Sequence, residues 1–410
     1  MQLKLNNKTI LLGVTGSISA YKACDLARLF VKAGACVHVV MTPSAERFVS
    51  ALTFEALTRN AVLTESSESW ASTLNHIDIG KACDVFVIAP ATANSINKIA
   101  HGFAENILLQ TVLAYNKPLL IAPSANTNMI EDATTLKALN YLQEHHIELI
   151  GSQSKLLACG DVGNGALAEP LEIFYATAKA LLQEDFWTNR EVIVTGGGTR
   201  EKIDEVRYVS NFSSGKMANA LATALYLKGA KVSLLSTMPH YEIPNQISSI
   251  KLESAYEMKE AVLQEIHQAE QHSPKTPFIF MAAAVADFTP KSPNKGKTKK
   301  VTIGNEWNIE MKQTEDILKS IGELSLIKVG FKAEMDSANG FSNAKSLIEN
   351  KNVDGVCYNL LADSSAFGTL DNSIVFITKD NTVELGRASK LELSFKILQE
   401  SQKLEHNNTI

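Results

Sequence analysis

Residues 9–44 read TILLGVTGSISAYKACDLARLFVKAGACVHVVMTPS. Thr9–Val14 is a short β-rich run that breaks at Gly16-Ser17. Ser19–Ala33 then places Cys24, Ala27, Phe30 and Val31 at helical spacing before Gly34 stops the pattern. Val37–Met41 follows as a second buried strand and completes a βαβ unit. Apolar runs return at Val85–Ala89, closed by Pro90, and at Leu119–Ala122, closed by Pro123, with helical stretches between them. This alternation predicts a mainly parallel sheet with helices on both faces.

The same opening recurs downstream. Glu191–Thr195 leads into Gly196-Gly197-Gly198, a helical pattern from Ser214 to Lys228 ends at Gly229, and Lys231–Leu235 reads as the next strand. Between the two openings lie a helix at about Leu171–Gln183 and the polar segment Glu184–Arg190, which puts a boundary near residue 188. The expectation is α/β throughout: two three-layer domains of Rossmann-like or flavodoxin-like type, 1–188 and 189–410. Ser373–Thr378 and Thr382–Leu385 read as a late hairpin, and Lys291–Lys300 (KSPNKGKTKK) as a solvated, flexible lysine-rich loop.

With 410 residues, each half is long enough to bury its own core. Lys+Arg 39 against Asp+Glu 44 gives a net charge of −5, so no general basic surface exists to grip a phosphate backbone, and nucleic acid is not expected as a partner. The five cysteines (Cys24, Cys36, Cys83, Cys159, Cys357) are scattered without a C-x-x-C pair, which fits reduced thiols in a cytoplasm. Ile10–Leu12 is too short for a signal-peptide core, and Phe278–Ala286 is too short to cross a bilayer. A soluble cytoplasmic protein with no membrane partner is therefore expected.

Gly13, Gly16, Ser17 and Ser19 supply the small residues and helix N-terminus that a phosphate site needs. Their spacing is not G-x-G-x-x-G, and the second strand ends in Met41-Thr42-Pro43-Ser44 with no acidic residue for a ribose diol. Hydroxyls here suit a mononucleotide such as FMN better than NAD, although such a turn also serves simply to pack a helix on a sheet.

Later strand ends carry APATAN (Ala89–Asn94), APSANTNM (Ala122–Met129) and LACGDVGNG (Leu157–Gly165), and His76 opens HIDIG. Here the sequence resembles the bacterial bifunctional coenzyme A biosynthesis flavoproteins, in which phosphopantothenoylcysteine decarboxylase is fused to phosphopantothenate–cysteine ligase. The resemblance spans nearly the whole chain in the same domain order. It implies FMN contacts at Gly16, Ser17, Thr42, Pro90, Ala91, Thr92 and Asn94. It further implies that His76 is the acid/base of oxidation and decarboxylation, that Asn126 fixes the substrate carboxylate, and that Cys159, on a glycine-rich flap, protonates the enethiolate. Singly, these residues have plainer readings: a satisfied histidine, a turn asparagine and a small buried thiol. Their joint occurrence in the motifs favours the site. Two departures stand out, PSAN where the family more often has PAMN, and Ala166 where an arginine commonly follows the flap.

TREKIDEVRYVSNFSSGKM (Thr199–Met217) resembles the ligase signature, with Ala218 in place of the family's next glycine. Ser213-Ser214 read as a helix N-cap that doubles as an anion site. MAAAVADF (Met281–Phe288) is expected as a strand running into Asp287. The resemblance implies that Ala283, Asp287, Lys297, Phe331, Lys345 and Lys351 surround CTP, Lys351 only by allowing a two-residue insertion. It also implies that Asn211 polarises an acyl-cytidylate, that Arg207 holds substrate phosphate or carboxylate, and that Lys297 spreads charge at the nucleotide. Mg²⁺ is expected with the nucleotide, its protein ligands unassigned. MKQTED (Met311–Asp316) departs from the family's KNPDI.

The expected activity is thus ligation of 4′-phosphopantothenate to cysteine with CTP, then FMN-dependent decarboxylation of 4′-phosphopantothenoylcysteine to 4′-phosphopantetheine. The resemblance further implies a homo-oligomer with trimeric flavin domains and paired ligase domains, up to a dodecamer. Two alternatives are less well supported: another flavoprotein of the group, such as an FMN prenyltransferase with an unrelated nucleotide domain, which loss of the Cys159 flap would have favoured, and a non-enzymatic flavin-binding regulator, against which the retention of His76, Asn126 and Cys159 together argues.

Overall fold

The computed structural model of the protein describes residues 3–156, 162–238, 243–335, 339–360, 368–369 and 371–407. The chain separates into two compact units, Gln2–Leu182 and Gln183–Ile410. In the first, strands β1 (Thr9–Val14), β2 (Cys36–Met41), β3 (Val85–Ala91), β4 (Leu119–Pro123) and β5 (Glu148–Leu149) form one parallel sheet in the order β2-β1-β3-β4-β5. Every residue of β3 is buried, as a central strand covered on both faces requires. The helices Ala20–Lys32, Ala51–Thr58 and Pro170–Leu182 make one layer, and His76–Ala82, Ala93–Ala100, Ile107–Leu113 and Ala133–Glu144 make the other.

The first helix buries Ala23, Leu26, Ala27 and Phe30, the i, i+3, i+4, i+7 stripe of an amphipathic helix. Cys24 and Val31, expected on that stripe, lie beside it and are only half-buried. Phe30 meets Phe174 of the helix Pro170–Leu182 with ring centroids 5.6 Å apart. Fully burying side chains such as Phe30, Phe54 and Phe86 contributes roughly 1.5–3 kcal/mol each. An antiparallel ribbon, β6 (Gln153–Leu156) and β7 (Val162–Ala166), follows the sheet.

The second unit has an eight-stranded sheet built from β8 (Glu191–Gly196), β11 (Lys231–Ser236), β12 (Ser248–Lys251), β13 (Phe278–Met281), β16 (Ile327–Glu334), β17 (Gly355–Leu360), β18 (Asp371–Ile377) and β19 (Thr382–Ser389). The order is β12-β11-β8-β13-β16-β17-β18-β19, parallel through β17 and antiparallel for the last two strands, which form the expected hairpin. Two short antiparallel ribbons stand apart: β9 (Arg200–Lys202) with β10 (Tyr208–Ser210), and β14 (Phe288–Pro290) with β15 (Met311–Gln313). One helix layer contains Ala255–His272, Ile317–Ser320 and Gly340–Lys351, and the other Lys216–Leu227 packed on Lys390–Ser401.

Two expected boundaries move. The helix after the signature starts at Lys216, and its N-cap is Gly215 at φ 68°, a left-handed conformation that favours glycine, rather than Ser213-Ser214. The strand expected through Asp287 ends at Met281, because the following residues bond sideways: Ala284 N donates to Gly197 O at 2.8 Å, and Ala286 N to Thr199 Oγ1 at 2.9 Å.

Each sheet has one place where successive connections leave in opposite directions, between β1 and β3 in the first and between β8 and β13 in the second. Open parallel sheets bind ligands beyond the carboxyl ends of their strands at such reversals.

The second unit is tied at its ends by Arg190. Its side chain is 3% exposed, it donates to both carboxylate oxygens of Glu405 at 2.9 Å and to Thr276 O at 2.8 Å, and it lies 4.1 Å from the Phe186 ring centroid. Glu405→Leu leaves this buried guanidinium without its carboxylate and should destabilise the unit by about 3 kcal/mol. Calorimetry of the full chain should then show that unit's transition about 6–12 °C lower; an unchanged transition would mean the pair contributes nothing.

Candidate functional site

Five chain segments converge beyond the carboxyl edge of the first sheet. Thr15, at the end of β1, is fully buried; its hydroxyl donates to Pro90 O at 2.8 Å and accepts from Thr92 N at 3.0 Å, which pins the β1 turn to the β3 turn across the reversal. Ser17 Oγ lies 3.1 Å from Ser124 Oγ, which donates to Ser19 Oγ at 3.1 Å, so a row of hydroxyls links the β1 and β4 turns. A Cβ built at Gly16 would stand 2.4 Å from Ser44 Cβ, so only glycine lets the turn approach the end of β2. Thr42, Thr92 and Asn126 are N-caps: each side chain accepts a backbone N–H of the helical turn that follows, from Ala45, Ser95 and Asn128. Pro90 and Ala91 are buried, and Asn94 is exposed on the first turn of its helix.

This cradle, with small residues, hydroxyls and three helix starts at one sheet edge, fits a mononucleotide phosphate and the edge of a flavin ring. The ribbon docks on the turn that follows β4. Ala125 N donates to Gly165 O at 3.0 Å, Thr127 Oγ1 donates to Asn164 O at 2.9 Å, and a Cβ at Gly165 would sit 2.3 Å from Ala125 O. Cys159 lies outside the described residues.

His76 begins the helix that returns to β3, so it lies at the same carboxyl edge. Asn75 caps this helix by accepting from Ile77 N and Asp78 N. His76 Nδ1 is 2.7 Å from Glu68 Oε1, and its ring meets Trp70 edge-on with centroids 5.5 Å apart. Neither Glu68 nor Trp70 was singled out in the sequence, since a carboxylate eight residues away in an irregular loop carries no spacing signal.

In the second unit the β8 turn and the segment after β13 are laced together. Ala283 N donates to Thr195 Oγ1 at 3.2 Å, Thr199 N to Ala284 O at 3.3 Å, and Thr237 Oγ1 to Gly198 O at 2.7 Å. Asn211 Nδ2 donates to Val285 O at 3.0 Å, which places Asn211 beside Ala283 at this reversal. Phe331 lies within the neighbouring strand β16, just after Gly330, the register partner of Met281 at the end of β13. Asp287 is exposed and its carbonyl accepts from Thr314 N at 2.9 Å. The Ala218 departure also finds a neighbour: a Cβ at Gly196 would stand 2.4 Å from the Ala218 methyl, which occupies the space that glycine leaves.

The lysine-rich segment is fastened rather than free. Asp204, with its side chain buried, accepts from Val206 N and Arg207 N at 2.9 Å, from Thr298 N at 3.2 Å, and pairs with Arg207 Nη2 at 2.8 Å. Arg207 Nη2 also donates to Thr298 O at 2.6 Å, and its guanidinium lies 4.5 Å from the Trp307 ring centroid. Lys297, next to Thr298, is thereby brought alongside the signature loop with its side chain exposed. Burial alone would raise the Asp204 carboxyl; the N–H groups of Val206, Thr298 and Arg207 outweigh it and bring it down to about 2. Its stabilising share is therefore complete above the unfolded value of about 4 and lost only as pH falls through about 2, so the clamp is fully charged at neutral pH.

Lys345 is exposed midway along the helix Gly340–Lys351. Lys351 ends that helix, bonded to Asp316 at 2.8 Å, roughly 9 Å of helical rise beyond Lys345 and away from the carboxyl edge. The geometry thus groups Asn211 and Ala283 at the reversal, sets Phe331 on the neighbouring strand β16 and Lys297 on the adjoining loop, and leaves Lys351 apart. Among the described residues no group of three or more His, Cys, Asp or Glu side chains could hold a metal ion.

The family described as "Flavoprotein" matches residues 1–182, and that described as "DNA/pantothenate metabolism flavoprotein C-terminal domain" matches residues 187–404. The chain is 40% identical over 404 residues to the coenzyme A biosynthesis bifunctional protein CoaBC of Bacillus subtilis, covering 97% of each chain. It is 37% identical over 402 residues to the protein of the same name from Haemophilus influenzae, covering 97% of this chain and 98% of the relative. The chain belongs to the bifunctional coenzyme A biosynthesis proteins. It is accordingly an enzyme of that pathway, a flavoprotein that uses FMN and combines decarboxylase and ligase activities. A solved C-terminal domain of a CoaBC protein is 30% identical, covering 55% of this chain and 100% of that one, with a TM-score of 0.44.

Two outcomes check these geometries. Gly16→Ala should lower the FMN retained on purification, read as flavin absorbance per chain; full retention would show that the turn has room for a methyl group. Asp204→Ala should speed tryptic nicking within Lys291–Lys300 by roughly tenfold or more, since charge-assisted hydrogen bonds hold that loop. An unchanged nicking rate would show that Asp204 does not hold it.

Proposed function

We propose that the two reversals are the two active sites, decarboxylation running between β1 and β3 and ligation between β8 and β13, within domains 1–188 and 189–410. The observation that supports this reading most is that Ser17, Thr92 and Asn126 in the first unit, and Asn211 and Ala283 in the second, lie on turns at carboxyl sheet edges where strand order reverses.

In the first site Gly16, Ser17 and Thr42 would hold the phosphate end of FMN, and Pro90, Ala91, Thr92 and Asn94 its ring. When bound, the flavin supplies the two-electron chemistry that gives the substrate an electron sink. Asn126, at a helix start beside the ribbon, orients the cysteinyl carboxylate. His76 exchanges a proton with the substrate as general acid/base. Cys159 delivers the final proton to the enethiolate.

In the second site Lys297 spreads negative charge as the 4′-phosphopantothenate carboxylate attacks the CTP α-phosphate and pyrophosphate leaves. Asn211 holds the carbonyl of the acyl-cytidylate while the cysteine amine displaces CMP. Ala283, Asp287 and Phe331 shape the nucleotide pocket and Lys345 adds a cation; Lys351 joins them only if its helix moves. Arg207 holds the loop through Asp204 and Thr298 and keeps a buried Nε–H, without a partner among the described residues, for a substrate anion. Mg²⁺, if bound with the triphosphate, would supply charge neutralisation at the pyrophosphate leaving group.

The working form is a homo-oligomer of trimeric flavin domains and paired ligase domains, up to a dodecamer. Exposed Val206, Tyr208, Val209, Phe212 and Phe288 on or beside the two ribbons of the ligase unit support the pairing. No helix of the described residues is long and apolar enough to cross a membrane, and Cys24, Cys36, Cys83 and Cys357 are free thiols, in keeping with a cytoplasmic enzyme.

Purified protein given 4′-phosphopantothenate, cysteine, CTP and Mg²⁺ should yield CMP, CO₂ and 4′-phosphopantetheine by mass spectrometry. Lys297→Gln should slow CMP formation by about a hundredfold while supplied 4′-phosphopantothenoylcysteine is still decarboxylated, and His76→Gln should do the reverse. Undiminished CMP formation by Lys297→Gln would sink the ligase assignment.

A further inference from the structure

Glu68 sits in the irregular segment between β2 and the helix His76–Ala82. That segment leaves the sheet edge where Leu63 bonds Val39 and Met41, then bends back so that Ser69 N donates to Leu74 O at 2.9 Å. The bend brings Glu68 Oε1 to 2.7 Å from His76 Nδ1, and His76 N approaches the same oxygen at 3.5 Å. Both side chains are about one-fifth exposed, 19% for His76 and 23% for Glu68, so the contact is sheltered without being sealed. Trp70, 69% exposed, stands perpendicular to the imidazole.

As a carboxylate, Glu68 only accepts, so it fixes the ring proton on Nδ1 and leaves the Nε2 lone pair as the working atom. No hydrogen bond to Nε2 forms among the described residues. Another carboxylate of this segment, Glu65, is engaged at the start of the helix Ile107–Leu113, where it accepts from Ile107 N at 2.7 Å. The helix Ile107–Leu113 and strand β1, which pack on the helix His76–Ala82, carry no titratable side chain. On that helix itself, Asp78 is engaged by Asn75 Nδ2 at 2.8 Å and lies 3.9 Å from Lys81 Nζ.

We propose that Glu68 is a positioning residue of the decarboxylase site: it holds the His76 ring in one tautomer and orientation, with Trp70 as a wall against the ring plane. The inference rests on the reading of His76 as the acid/base. A carboxylate behind a working histidine stabilises the imidazolium that forms when Nε2 takes up a proton, and it spares the ring a search over orientations at each turnover. The device acts through His76 and touches neither substrate nor flavin.

The test uses the full chain loaded with FMN and supplied with 4′-phosphopantothenoylcysteine, and compares Glu68→Leu, Glu68→Gln and His76→Gln. Glu68→Leu should lower kcat for CO₂ release by about tenfold or more with KM within about threefold. Flavin absorbance per chain and CMP formation at the ligase site should stay unchanged. Glu68→Gln, whose amide oxygen still accepts from Nδ1–H, should lose less. If both Glu68 variants keep kcat within about twofold of the parent while His76→Gln does not, the positioning role is overturned and the reading of His76 survives. If flavin content or KM changes and kcat does not, Glu68 is structural and the proposal fails. If His76→Gln itself keeps full kcat, the acid/base reading falls, and the role of Glu68 with it.

Discussion

Both halves of the molecule depend on one steric constraint: the turn that leaves the first strand of each sheet has no room for a side chain. At Gly16 a Cβ would stand 2.4 Å from Ser44 Cβ; at Gly196, Gly197 and Gly198 it would stand 2.4, 2.3 and 2.5 Å from Ala218 Cβ, Thr237 Oγ1 and Asn211 O. Non-bonded atoms do not approach so closely, so these positions exclude every residue but glycine unless their neighbours shift. What the constraint secures is backbone at the carboxyl edge, with helix amides free of side-chain cover at the point where strand order reverses.

Threonines convert these turns into fixed surfaces in both units. Thr15, fully buried, bonds the β3 turn on both its donor and acceptor sides. In the second sheet Thr195 and Thr199 accept from Ala283 N and Ala286 N, and Thr237 donates to Gly198 O. A buried hydroxyl that makes no hydrogen bond costs about 1–3 kcal/mol, so these contacts oppose any separation of the two turns. The floor of each site is therefore held together by hydrogen bonds, while side chains such as Asn94, Asp287 and Lys297 stay exposed.

Much of this was legible in the sequence, because apolar runs ending in Gly or Pro mark strand ends and parallel sheets bind at strand ends. The two openings at residues 9–44 and 191–235, the late hairpin and the helix stops at Gly34 and Gly229 all follow from that rule. Where one residue of phase mattered, the reading drifted: the buried stripe of the first helix runs through Ala23, Leu26, Ala27 and Phe30, since alanines carry little weight in a hydrophobic pattern. The strand through Met281 looked longer than it is, since four alanines within Ala282–Ala286 suit an irregular segment bonded sideways as well as they suit a strand. Contacts between distant segments left no trace in spacing. Asp204 meets Thr298 across 94 residues, so a run of lysines that reads as a solvated loop is in fact docked. Lys351, matched only by allowing an insertion, closes the far end of its helix on Asp316.

The central claim is that each reversal holds one ligand of the two-step reaction. Hydrogen exchange by mass spectrometry on the full chain, with FMN removed and restored and with CTP and Mg²⁺ absent and present, tests it most directly. The account predicts that FMN slows exchange in peptides spanning residues 15–19, 90–94 and 124–128, and that CTP slows it at 196–199, 283–287 and 294–298, each ligand leaving the other set unchanged. Protection by either ligand confined to other segments, or CTP protection at the β1 turn, would contradict it.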